Sequence, residues 1–300
     1  MAPQSRTVLV TGASGGIGSA TVDRLDRLGW RVFAGVRTTE AGDRLAGGRE
    51  RVVPVMLDIA DEASISDATQ QVARHVDGDG LHGLVNLAGI SVDGPVELLP
   101  LAALRRQFEV NVIGQVAVTQ AFLPMLRATH GRIVNVGGAA GRLTLPMYGA
   151  LSASKSALDS LTDALRMELQ HQGIHVSYIE PGAVKTEFFR TSGTAAHLQS
   201  YAGNAESQKI YSRAIEASAK AMTESSAVPV DHAVRAIVRA LTARHPAPRY
   251  IVGSQAKMGL RVLLHLPVGV RDRMLTTTIG LTKKSFDVIA DVEQPRVGAG

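Results

Sequence analysis

Two stretches of this chain carry residues whose types and spacing suit chemistry. The first, Thr11-Gly-Ala-Ser-Gly-Gly-Ile-Gly18, joins a short β-branched run, Arg6 to Val10, to a helical pattern that continues to Leu28. Glycines between a strand and a helix let the backbone curl tightly and bring helix N-terminal amides against an anion such as a pyrophosphate. The second stretch, Gly137 to Lys155, reads GGAAGRLTLPMYGALSASK. From Leu151 it enters a helical pattern in which Leu151, Leu158, Leu161, Leu165 and Leu169 recur at spacings of three, four and seven. Lys155 therefore stacks one turn beyond Leu151 on the same face. An amine among apolar neighbours such as Leu151 and Leu87 is desolvated, which lowers its pKa and makes it a candidate base.

Other polar residues near these stretches have plainer readings. Ser152 and Ser154 fall on other helical faces than Leu151 and Lys155. His130 precedes a strand and reads as solvent-exposed, and Glu180 and Glu187 read as surface or structural carboxylates. No complete Ser/His/Asp set and no metal-ligand cluster is evident, so no metal is expected.

The elements that must position these residues follow from composition and periodicity. Three hundred residues with 45% hydrophobic content suit one large α/β domain, and the chain has no cysteine, which excludes disulfides and thiolate chemistry. No apolar run reaches a membrane-spanning length and a strand begins by Thr7, so a cytoplasmic protein is expected. The net charge of +5 comes from scattered basic residues with few aromatics between them, which argues against nucleic acid and for an anionic small molecule. Strands are expected near Arg31 to Val36, Arg51 to Leu57, His82 to Leu87, Gly131 to Val136 and Ile174 to Ile179, with helices at Ala63 to Val76 and Leu101 to Leu126. Repeated βα units of this length predict one parallel sheet with right-handed crossovers and helices on both faces.

In order along the chain stand Thr11-Gly-x-x-x-Gly-x-Gly18, Asp58, Asn86-Leu-Ala-Gly89, Asn111, Ser-Ala-Ser-Lys155 and Pro181-Gly182. This series resembles the short-chain dehydrogenase/reductase family over roughly residues 6 to 190, with Tyr250-Ile-Val-Gly253 as a seventh strand. The resemblance implies a single Rossmann-type, doubly wound α/β domain over residues 1–300, built on an about seven-stranded parallel sheet. It also implies that Gly12, Ser14, Gly16, Ile17 and Gly18 hold a dinucleotide pyrophosphate. Asp58 and Ile59 would border the adenine, and Asn86, Ala88, Gly89 and Lys155 the ribose side. Pro181, Gly182, Val184 and Thr186 would orient the nicotinamide. Arg37, after a second strand with no acidic residue at its end, resembles the NADP-preferring members, because a guanidinium fork matches a phosphate. NADP(H) is the expected cofactor.

The family transfers hydride with a tyrosine as acid or base, a lysine four residues later, a serine thirteen residues before the tyrosine, and an asparagine. Lys155 and Asn111 match two of these positions; Leu151 and Gly138 stand at the tyrosine and serine positions. The usual mechanism cannot then operate unchanged. Tyr148, three residues before Leu151, is a candidate replacement acid or a packing tyrosine, and Lys155 either keeps its ribose contacts or acts as the base. Three readings stay open: a divergent NADP(H)-dependent oxidoreductase for a hydrophobic carbonyl or alcohol, a non-redox cyclase, isomerase or lyase on the same fold, and a non-catalytic NADP sensor. Residues 188–225 would form a substrate lid with Tyr201 and Tyr211, and residues 254–300 a variable extension whose Ala256 to Leu266 segment packs on the core rather than on a partner or membrane. Family members commonly pair through the helices carrying Asn111 and Lys155, so a homo-oligomer is expected.

Overall fold

The computed structural model describes residues 6–76, 78–186, 188, 205–224, 227–281 and 285. Seven strands, β1 (Thr7–Val10), β2 (Arg31–Val36), β3 (Val52–Met56), β4 (Gly83–Asn86), β5 (Arg132–Val136), β6 (His175–Pro181) and β7 (Arg249–Val252), form one parallel sheet in the order β3-β2-β1-β4-β5-β6-β7. All strand pairs are parallel, with β1 between β2 and β4. The central strands are apolar throughout because both faces are covered. On one face α1 (Gly16–Arg27), α2 (Thr39–Ala46) and α8 (Val230–Thr242) bury Val22, Leu25, Leu45, Ile237 and Leu241 against Val8, Val10 and Val32. On the other, α3 (Glu62–Val76), α5 (Gly114–Ala128) and α6 (Gly149–Leu169) bury Ile65, Val72, Val118, Phe122 and Leu169 against Leu9, Phe33 and Leu84.

The helix expected over Leu101 to Leu126 is not uniform. It runs as α4 (Leu101–Phe108), a π-helical segment (Glu109–Ile113) and then α5. The wide turn is centred on Asn111, which is fully buried. Its carboxamide accepts from the Ile90 amide at 2.8 Å and donates to Ile90 O at 2.9 Å and to Ser154 Oγ at 3.1 Å. Those buried bonds favour the irregular turn over a continuous α-ladder. Helix α6 begins at Gly149, two residues before the apolar periodicity becomes legible at Leu151.

The C-terminal third adds α7 (Ala205–Glu224), α9 (Ser254–Val262) and α10 (Val268–Thr278). Residues 189–204 of the expected lid, Tyr201 among them, lie outside the described residues, as does Glu187; Tyr211 donates to Glu97 Oε2 at 2.8 Å. Within the Ala256 to Leu266 segment Leu260 is buried, Ala256, Leu263, Leu264 and Leu266 are half-buried, and Met258 and Val262 are exposed. Among the described residues no helix is long and apolar enough to cross a membrane.

Between β5 and β6 one close packing event explains a glycine. An ideal Cβ on Gly137 would lie 1.7 Å from the Tyr178 hydroxyl oxygen, whereas one on Gly138 would meet nothing nearer than 3.7 Å. The Tyr178 phenol thus occupies the space of a residue-137 side chain and donates to Lys155 O at 3.0 Å. Gly137→Ala should lower unfolding stability by about 1–3 kcal/mol, in the range of core overpacking. Gly138→Ala should stay within about 0.5 kcal/mol. Denaturant unfolding of both variants measures this, and equal losses would refute the steric account.

Candidate functional site

The order of the strands reverses on either side of β1, and the crevice beyond the carboxyl ends of the strands at such a point is where α/β sheets bind ligands. A cavity of about 670 Å³ lies there, bordered by residues that follow β1 through β6. One end is built by the first glycine turn. Gly12 adopts φ +62°, and a Cβ there would fall 2.7 Å from Ala88 Cα, so β1 and β4 exit with their backbones in close approach. Thr11 Oγ1 accepts from the amides of Leu87 and Ala88 at 3.0 and 3.1 Å, fixing that approach.

Within the turn, Ala13 and Gly15 donate to Gly35 O and Gly12 O, and Ser19 opens the intrahelical ladder by donating to Gly15 O. The amides of Gly16, Ile17 and Gly18 have no acceptor among the described residues, and the first turn of α1 carries no acidic side chain. Open amides at the positive end of a helix form a cradle for an anion. A side chain on Gly16 would crowd the Thr186 side chain at 3.0 Å, and one on Gly18 would strike Gly12 O at 2.3 Å, so the turn requires glycine at 18.

The cavity brings together most of the expected binding residues: Gly12, Ser14, Gly16, Ile17, Arg37, Asp58, Ile59, Ala88, Gly89, Lys155, Pro181, Gly182, Val184 and Thr186 all border it. Gly18 and Asn86 do not. Gly18 lies beneath the turn, and Asn86 is buried in the sheet, donating to Thr119 Oγ1 and Asn135 Oδ1 at 2.9 Å each. Arg37 stands exposed at the end of β2 with no carboxylate bonded to it among the described residues. Asp58 Oδ1 accepts from the Ala60 amide at 3.0 Å, and Ser64 Oγ accepts from the Asp58 amide at 2.9 Å, which shapes the turn after β3.

The other end of the cavity is apolar, bordered by Gly138, Leu143, Leu145, Leu151, Phe188, Met222, Leu275 and Ile279. Lys155 borders it too, though it is only 6% exposed. Its Nζ donates to Val136 O at 3.1 Å, its single acceptor among the described residues. Burial lowers its ammonium pKa from 10.5 to about 8. Two of the three donor positions of the ammonium are therefore left for a ligand. Neither Gly138 nor Leu151 offers a proton.

Tyr148 and Asn111 do not reach the cavity wall. Tyr148 is 3% exposed at the start of α6 and packs with Leu98, Met147, Leu151 and Ile215. Asn111 spends its carboxamide on Ile90 and Ser154 and so acts as a clamp between β4 and α6. His130 is exposed, as expected. Glu180 is not on the surface: it is fully buried, bonded by Arg249, and burial raises its pKa against the opposing pull of that arginine.

Several contributors were not picked out from sequence. Gln107 donates to Ile90 O and Ser154 Oγ and accepts from the Val92 amide, continuing the Asn111 clamp four residues earlier. That i, i+4 pairing of amides was a readable signal. Arg106 borders the cavity from α4, and Leu275 and Ile279, again four apart, border it from the C-terminal segment. Tyr178 had no local signal, because its partner, the Lys155 carbonyl, is identified only by the packing of β6 beneath α6. Among the described residues no three metal-ligating side chains cluster.

Comparison with known proteins agrees with this architecture. The family model described as short chain dehydrogenase matches residues 6–196. The 3-amino-tetrahydro-pyrrolizinone reductase of Xenorhabdus hominickii is 36% identical over 261 residues, covering 84% of this chain and 88% of its own. Retinol dehydrogenase 16 of Mus musculus is 33% identical over 283 residues, covering 92% and 89%. The crystal structure of a short chain dehydrogenase from Burkholderia cenocepacia in complex with NADP superposes with a TM-score of 0.72 at 28% identity, covering 91% of this chain and 98% of that one. With its parallel seven-stranded sheet, its glycine cradle and these relatives, the chain belongs to the short chain dehydrogenase family.

Proposed function

We propose that this protein is an NADP(H)-dependent oxidoreductase for a hydrophobic carbonyl or alcohol, with Lys155 in place of the usual tyrosine as the proton-handling group. The observation that carries the reading is Lys155 itself, a buried amine with open donor positions between an anion cradle and an apolar chamber. The nicotinamide cofactor, when bound, supplies or accepts the hydride. The Gly16 and Ile17 amides would hold its pyrophosphate, and Arg37 would meet the additional phosphate of NADP. Leu143, Leu145, Leu151 and Phe188 exclude water and hold the apolar body of the substrate. Lys155 Nζ, with a pKa of about 8, carries a proton near neutrality and can release it to an oxygen that gains charge.

The relatives support the class of reaction: one is a reductase, one a retinol dehydrogenase, and another, 32% identical, an NADPH-dependent 3-dehydrocapnine reductase of Ornithobacterium rhinotracheale. A non-redox reaction is the second reading, favoured by the lack of any hydroxyl at positions 138 and 151. We further propose that the chain forms one domain and pairs with a second copy through the helices of Asn111 and Lys155, where Ile113, Leu161 and Met167 are exposed. The cysteine-free sequence suits a reducing cytoplasm.

Three measurements test these assignments. In fluorescence titrations, Arg37→Ala should weaken NADPH about tenfold or more, the loss of a charge-assisted phosphate contact, and leave NADH unchanged. Equal loss for both nucleotides would remove the NADP preference. For carbonyl reduction, Gly138→Ser with Leu151→Tyr should raise turnover of simple ketones on the order of 10²-fold, the worth of a restored acid and oxyanion donor. No gain would favour the non-redox reading.

The third concerns stability without cofactor. Lys155 has a lowered folded pKa, so below about pH 8 it is charged in both states and imposes its full burial penalty. Between pH 8 and 10.5 the unfolded chain holds the proton that the folded chain has lost, and stability rises with pH. Lys155→Met should therefore be more stable than the wild type by about 3 kcal/mol at pH 7. That advantage should shrink toward pH 10.5, and a pH-independent difference would contradict the buried-amine assignment.

A further inference from the structure

Beside the large cavity lies a second one of about 350 Å³, bordered by Arg142, Thr144, Pro146, Arg271, Asp272, Leu275 and Thr276. Leu275 borders both. The segment between them alternates: Leu143 and Leu145 face the large apolar cavity, and Thr144 and Pro146 face the small polar one. A ligand with its body among Leu143, Leu145 and Leu151 thus has a polar compartment next to it, across the Leu275 side chain.

That compartment is basic. Arg142 Nη1 lies 3.8 Å from Glu180 Oε2, and Arg271 Nε lies 3.7 Å from Asp272 Oδ1, both beyond hydrogen-bond reach. Glu180 Oε1 is bonded by Arg249, whereas its buried Oε2 has no hydrogen bond among the described residues and faces Arg142. The guanidinium groups of Arg142 and Arg271 have no hydrogen-bonded carboxylate among the described residues, and their side chains are 36% and 30% exposed. Thr144 has no hydrogen bond of its own among the described residues, whereas Thr276 already donates to Asp272 O at 2.8 Å. Two carboxylates oppose an anion here: Asp272, which is 61% exposed and solvated, and the buried Glu180, which is shared between Arg142 and Arg249.

We propose that the substrate is an amphiphile, an apolar body carrying the reactive carbon and a terminal anionic group such as a carboxylate, with the anion held by Arg142 and Arg271. Guanidinium forks match a planar carboxylate with two parallel hydrogen bonds, and the Thr144 hydroxyl supplies a third donor. This deepens the oxidoreductase reading and rests on it for the identity of the reactive end, while the anion site stands on its own residues.

The test is calorimetric titration of the full chain, saturated with NADPH, with decanoate and with decan-1-ol. Decanoate should bind about tenfold tighter than the alcohol, the usual worth of a charge-assisted pair in a partly exposed site. Raising the salt concentration should weaken decanoate alone. Arg142→Gln and Arg271→Gln should each remove most of that preference without changing the affinity for NADPH or decan-1-ol, and Arg271→Lys should restore part of it. Equal binding of the two probes to the wild type, or a preference that survives in both glutamine variants, would overturn the proposal. If NADPH itself fails to bind, the oxidoreductase reading falls, and the same titrations without nucleotide decide the anion site separately.

Discussion

The hydrogen bond from the Tyr178 phenol to the Lys155 carbonyl joins the floor of the site to its roof. It runs from the sheet to the helix that carries Lys155 at the apolar end. Its cost is visible in the loop above, where position 137 has no room for any side chain. Burial raises the phenol pKa, so the group remains a donor at every physiological pH. Behind it, Arg249 stacks over the Tyr178 ring at 5.2 Å and pairs with Asp159 on α6 and Glu180 on β6. The strand ends beneath the lysine are thus tied by charge as well as by packing.

This arrangement gives the two adjacent glycines different meanings. Gly137 is glycine because the neighbouring strand fills its space, a demand of the fold. Gly138 meets no such demand and simply leaves the chamber wall open. Leu151 closes the other side with an apolar surface continuous with Leu98, Ala214 and Ile215. The chamber wall at positions 138 and 151 therefore carries no hydroxyl, and burial beside it lowers the Lys155 pKa.

Most of the fold was legible in the chain. Strand–glycine–helix alternation gave the parallel sheet because doubly buried strands must be apolar and their crossovers must be helical. The residues that line the cavity were legible wherever a backbone turn defined them, as at Gly12, Gly16 and Gly182. What stayed hidden depended on groups distant in sequence. Asn86 turned inward because Asn135 and Thr119 lie across the sheet, and Tyr148 turned inward because α7 supplies Ala214 and Ile215 to cover it. The buried state of Glu180 likewise required Arg249, sixty-nine residues away.

The π-helical turn at Glu109–Ile113 has a mechanical meaning of its own. Each residue of an α-helix advances the side-chain direction by about 100°, so one residue more or less in a turn rotates everything beyond it by that angle. The wide turn sets the phase at which Gln107 and Asn111 reach the Ile90 loop while Val118, Phe122 and Leu126 still face the sheet. One stretch of helix thereby obeys two angular registers, one for the cavity floor and one for the core. A drift of sequence on either side of Asn111 leaves the other register in place, whereas a single-residue insertion or deletion inside the turn would unsettle both together.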